Sequence, residues 1–172
     1  TGMVNSVADA TGRFLPLVCT LNCTKITDTF TRLLGTNHEE LAAWALAAPL
    51  TANRPVLAAY FDGERSPDRP NARGMLANLS NETTREQLAL AAVEGVLLGL
   101  IVGHAAIRSA GAPADGRVIV AGGGAKSLAY RQILADLLAA PVQQLDVPEA
   151  TARGACIQAA AVLAGQDIRA VR

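Results

Sequence analysis

The chain has 172 residues, 51% of them hydrophobic and 17% charged, with fifteen Lys and Arg balancing fifteen Asp and Glu. Such a composition predicts a packed globular fold and excludes a disordered chain, a basic nucleic-acid surface and an acidic tail. Cys19 and Cys23 stand four apart, Cys156 is distant, and His38 and His104 are the only histidines, so neither a disulfide framework nor a metal site is expected.

Reduced cysteines and no visible signal peptide fit a cytoplasmic protein. Six aromatic residues leave the core to Ala, Leu, Val and Ile. The chain opens at Thr1 in what reads as the middle of a strand, and the expectation is a piece of something longer.

Segments 3–10 and 13–22, split by Thr11-Gly12, read as two strands around a turn. Ile26, Phe30, Leu33 and Leu34 then share one helical face, with Gly35 as the residue just past its end. Thr36 and Glu39 have capping-box spacing ahead of a second helix that stops before Pro49. Residues 54–61 read as a strand, 62–74 as a long polar loop, and 75–79 as a short strand.

Thr83 and Glu86 predict a second capping box, opening a helix over about 84–110. Its stretch "LALAAVEGVLLGLIVG" is nearly membrane-like. Glu94 sits inside that run, and an acid at a bilayer centre is costly. A helix buried between two layers is the expectation, with no membrane span. Gly95, Gly99 and Gly103 recur every four residues, a stripe where another backbone can come close. Residues 117–121 read as a strand, Ser127–Leu138 as a helix and 141–147 as a strand. A last Ala-rich helix runs from about Thr151 to Leu163 and is closed by Gly165. Strands separated by helices predict parallel pairing in an α/β sheet.

The stretch "VIVAGGGAKS" places three glycines between a strand and a helix. Glycine allows positive φ and close backbone approach, and the helix start favours negative charge. A phosphate loop of the Walker type would need glycines where Val120 and Ala125 stand. A dinucleotide fingerprint would need a third glycine at Ser127, although Asp146 lies where a ribose-binding acid would sit. The residues alone leave a nucleotide-binding turn and a plain tight turn both open.

Three blocks together resemble the C-terminal half of the FGGY carbohydrate kinases, most closely the xylulokinase branch. They are "YFDGERSPDRPNARGML", "VIVAGGGAKSLAYRQILADLLAAPV" and "PEATARGACIQAAAVLAG", in the family's order and spacing. The resemblance implies a ribonuclease H-like, actin-like ATPase fold: an α/β domain with a mixed sheet flanked by helices. Residues 1–172 would be one such nucleotide-binding domain, truncated at its N-terminus.

The resemblance further implies transfer of the ATP γ-phosphate, with Mg²⁺, to a hydroxyl of D-xylulose. Glycerol, ribulose, gluconate or another polyol are alternative acceptors, and a non-catalytic nucleotide-binding module is a further alternative. Carried over by position, Gly122, Gly123, Gly124 and Ala125 pass under the ribose and α-phosphate. Ser127, Tyr130 and Arg131 edge the adenine, and Lys126 is a solvated side chain near phosphate. The Ala72–Gly74 turn is implied to lie near the nucleotide cleft. The family's catalytic Asp and phosphate loop come before the segment that begins this chain. Asp9, Asp28 and Asp62 do not match that motif, so this chain alone is expected to be inactive. The sugar would be held mainly by the absent N-terminal domain, and a homodimer is left open. Arg153 departs from the apolar residue usual at its position, with no role implied.

Overall fold

A computed structural model describes residues 2–171; the reading of Thr1 as lying within a strand falls outside them. Strands β1 (Asn5–Ala8) and β2 (Phe14–Leu17) form an antiparallel hairpin. Helices α1 (Thr24–Leu34) and α2 (His38–Ala47) follow, then β3 (Val56–Ala58) and β4 (Met75–Ala77), also antiparallel. The long helix α3 spans Arg85–Ser109. Strand β5 (Val118–Val120) leads through a 3-10 turn (Gly123–Lys126) into α4 (Leu128–Leu138) and β6 (Val142–Gln144). Helix α5 (Ala150–Ala164) and a short 3-10 turn (Ile168–Ala170) close the described chain.

The strands are shorter than the sequence predicts and pair two by two, giving three ribbons among the described residues. β5 and β6 are parallel, Val118 opposite Val142 and Val120 opposite Gln144, as expected for strands joined by a helical crossover. Gly35 and Gly165 end α1 and α5 in the left-handed conformation, at φ 66° and 61°.

Both predicted caps are displaced by one residue, and of the two only that of α3 closes as a capping box. Helix α2 is capped by Asn37, whose side chain accepts from the Glu40 amide, while the Thr36 hydroxyl meets the Glu40 carboxylate. Helix α3 is capped by Thr84, which exchanges bonds with Gln87; the Thr83 hydroxyl accepts from the Ser80 amide instead. Each site offers two adjacent residues with capping chemistry, and the tertiary position of the helix selects the second.

Helix α3 is the centre of the core. From Ala89 to Leu97 it is buried on every side. Ile26 and Phe30 of α1, Leu41 and Ala45 of α2, Leu57 of β3, and Ile133 and Leu134 of α4 join the same cluster. Each fully buried Leu or Ile contributes roughly 1.5–3 kcal/mol relative to exposure. The glycine stripe serves two different contacts. A Cβ on Gly95 would lie 2.9 Å from the Leu57 carbonyl oxygen, so this glycine lets α3 press against β3. A Cβ on Gly103 would lie 3.1 Å from Val18 Cγ1, whereas Gly99 faces open space.

Glu94 is 8% exposed, and Arg54 is its bidentate partner. Nη2 and Nε of Arg54 donate to Oε1 and Oε2 at 2.9 and 3.3 Å. Removing one partner strands the other charge in a poor solvent. Glu94→Gln is expected to cost about 1–3 kcal/mol in urea unfolding, and Arg54→Met paired with Glu94→Leu should recover most of that loss. Equal stability of the single variant and the wild type would show that the pair is not held as drawn.

Candidate functional site

The carboxyl end of β5 is where ligands meet open α/β sheets, and the glycine turn sits there. Gly122 has φ 89°, a conformation that costs a residue with Cβ, so the chain can turn sharply out of the strand. The 3-10 turn closes through Ala125 N to Gly122 O at 3.2 Å and Ser127 N to Gly124 O at 3.1 Å. Gly123 and Gly124 open it, and the first amides of a helical turn lack an internal partner.

The turn forms one wall of a cavity of about 390 Å³. Gly123, Gly124, Ser127 and Tyr130 line that side. Thr24, Thr27 and Asp28 of α1 face them, joined by His38, Leu41 and Ala42 of α2. His38 Nε2 lies 3.0 Å from Asp28 Oδ1 at an exposed edge of this wall. A second, more apolar cavity of about 250 Å³ lies behind the turn. Val96, Leu97 and Leu134 form its floor, and Ala125 and Arg131 line it. The turn is therefore a partition, with its backbone reachable from two sides.

Tyr130 ties the walls of the larger cavity together. Thr27 Oγ1 donates to the Thr24 carbonyl at 2.8 Å, so it accepts from the Tyr130 hydroxyl at 3.3 Å. Burial pushes the Tyr130 pKa up, which keeps the hydroxyl protonated and able to donate. Arg131 turns away from the larger cavity and bonds the carbonyls of Ala125 and Lys126. Ser127 caps α4 by backbone only, leaving its hydroxyl to the cavity. Lys126 is exposed and lines an open hollow outside the turn. Ala125 is buried, and Gly122 supplies the bend.

The Ala72–Gly74 turn lines neither cavity. It closes on Gly63, whose amide donates to Ala72 O at 3.1 Å. A Cβ on Gly74 would lie 2.2 Å from the Phe61 ring, so Gly74 serves packing there. Arg153 is exposed on α5, and nothing around it explains the residue. Among the described residues no group of three His, Cys, Asp or Glu side chains is gathered as a metal would need.

The polar loop contains a buried carboxylate that sequence inspection missed. Glu64 is 4% exposed. It accepts from the amides of Leu21, Arg65 and Ser66 and from Asn22 Nδ2, at 2.7–3.4 Å. Asn22 completes the brace by donating to Gly63 O and accepting from Phe61 N. This network anchors the chain just before Cys23 and Thr24, which line the cavities. Leu21 and Asn22 lie some 40 residues before Glu64, so no local pattern marked the brace.

A family model described as the FGGY family of carbohydrate kinases, C-terminal domain, matches residues 3–163. The chain belongs to the FGGY family of carbohydrate kinases. A xylulose kinase from Streptomyces coelicolor is 37% identical over 171 residues, 99% of this chain and 34% of that protein. The crystal structure of a xylulose kinase from Bifidobacterium adolescentis is 43% identical at a TM-score of 0.83, covering 97% of this chain and 33% of that one. A glycerol kinase from Thermus brockianus is 44% identical over 127 residues, 72% of this chain and 25% of that protein. This FGGY chain spans about a quarter to a third of the length of these relatives. It has the actin-like ATPase fold of that family, as its three sequence blocks imply.

Within this FGGY domain, the Glu64 brace makes a prediction about acid stability. Burial alone would raise the Glu64 pKa, but the Asn22 amide and three backbone amides outweigh it and hold the value below its ordinary 4.5. Ionised Glu64 therefore supports the fold fully above the unfolded value, and that support is lost as pH falls through the lowered folded value. Glu64→Gln should be less stable at pH 7 by about 1–3 kcal/mol. Its stability should change less than the wild type's as pH falls below 4.5. Parallel pH profiles in denaturant unfolding would contradict this.

Proposed function

We propose that this chain is the ATP-binding C-terminal part of a sugar kinase of the xylulose kinase type. The observation that carries the reading is the glycine turn, placed at the end of β5 as the shared wall of two cavities, in a chain of this family. A cavity of about 390 Å³ is within the size range of small-molecule sites, about 300–1,000 Å³. Its apolar floor of Leu41, Ala42 and Val93 suits a flat base. The hydroxyls of Thr24 and Ser127 supply polar edges, and the amides opening the turn favour an anion.

In this reading Gly122–Ala125 cradle the ribose and α-phosphate, and Ser127 and Tyr130 border the adenine. ATP supplies the phosphoryl group, and D-xylulose supplies the accepting hydroxyl, in the cytoplasm. Mg²⁺ would be held by the phosphates and by the two thirds of the enzyme outside this chain. The base that takes the hydroxyl proton and the loop that handles the γ-phosphate belong to that same remainder. The similarity to a glycerol kinase over 72% of the chain favours a second reading, a kinase for another polyol.

Titration of the 172-residue chain should show binding of ADP or ATP in preference to NAD; preference for NAD would remove the kinase reading. A Cβ on Gly123 would meet nothing within 4 Å. Gly123→Leu should therefore fold normally, fill the cavity and weaken ADP binding about tenfold or more, the scale of one lost contact group. No ADP release above blank is expected from this chain with D-xylulose and Mg·ATP. The full-length enzyme should turn over, and a panel including glycerol, ribulose and gluconate should identify its acceptor.

A further inference from the structure

Arg131 stays out of the larger cavity and lines the one behind the glycine turn. It sits one turn into α4, on the side of the glycine turn facing away from the larger cavity. Its Nη1 group donates to Ala125 O at 2.7 Å, to Lys126 O at 3.3 Å and to Gln144 Oε1 at 2.5 Å. Gln144 is the last residue of β6, the strand parallel to β5. One cation thus links the end of the turn, the helix that follows it and the neighbouring strand. Among the described residues no carboxylate lies within ion-pair distance of Arg131, and Nη1 bonds neutral oxygens only.

A planar trans peptide places each carbonyl opposite the amide that follows it. Holding the Ala125 and Lys126 carbonyls therefore also sets the amides of Lys126 and Ser127. The Ser127 amide makes the bond that closes the turn on Gly124, and Ser127 and Gly124 both line the larger cavity. A three-glycine segment has little conformational preference of its own. The orientation of its backbone toward a ligand must come from outside the segment.

We propose that Arg131, braced by Gln144, is a positioning residue that fixes the glycine turn for adenosine binding without touching the ligand. The inference rests on the nucleotide reading above, and two independent measurements separate the fates of the two. The first is amide hydrogen exchange on the ligand-free 172-residue chain. Arg131→Met should speed exchange at Ser127 about tenfold relative to the α3 core, the scale of one charge-assisted bond. Unchanged exchange there overturns the proposal.

The second measurement is calorimetric titration with ADP and with adenosine. Arg131→Met should weaken both by about tenfold, and Arg131→Lys should restore much of the loss, because an ammonium still donates to more than one carbonyl. A loss for ADP with adenosine unchanged would mean that Arg131 meets phosphate directly, and would overturn the positioning role. Gln144→Leu leaves α4 intact and should give a smaller loss for both ligands, about threefold; no loss removes Gln144 from the proposal. A wild-type chain that binds neither ligand would sink the nucleotide reading, while the exchange result would still decide what Arg131 does to the turn.

Discussion

The burial of α3 is the constraint on which the remaining structure depends. Over Ala89–Leu97 this helix has no solvent face, so every element that covers it is placed by it. Helices α1, α2 and α4 pack into the same core, and β3 presses close where Gly95 removes a side chain. The two walls of the larger cavity are the parts of α1, α2 and α4 that rise above this shared support. Val93 of α3 is part of the cavity's lining, so the helix is both the core and the bottom of the site.

That arrangement also explains a charge in an apolar run. Glu94 follows Val93 and must face something other than lipid-like side chains. Arg54 arrives from the approach to β3 and satisfies both carboxylate oxygens. A buried pair of this kind adds little net stability over an apolar pair. It does restrict the register in which β3 can lie on α3, because a shifted strand would leave both charges unpaired.

Local signals in the chain were easy to read, and distant ones were not. Gly35 and Gly165 announced helix ends because left-handed turns need glycine. The glycine turn after β5 was visible for the same reason. In "TNHEE" and "TTREQ", by contrast, two adjacent residues can each cap a helix, and only packing decides between them. Thr24, Thr27 and Asp28 carried no signal of a cavity, since on an isolated helix they are ordinary polar positions. Glu64 looked like a loop charge until Leu21 and Asn22 closed on it. Arg131 sits among helix residues one turn past the glycines, and nothing in the spacing shows that it reaches back to hold them.

The Tyr130–Thr27 hydrogen bond joins residues 103 apart in the chain. The larger cavity exists only where these two distant stretches have docked, and closing so long a connection carries an entropic cost. Loss of that docking would erase the cavity even if each helix kept its shape. A molecule held between the walls would therefore act as a non-covalent clasp. Its occupancy would draw the folding equilibrium toward the assembled chain by mass action, in proportion to its concentration over its dissociation constant. Melting temperature would then be a gauge of cleft occupancy, with no chemistry needed to read it.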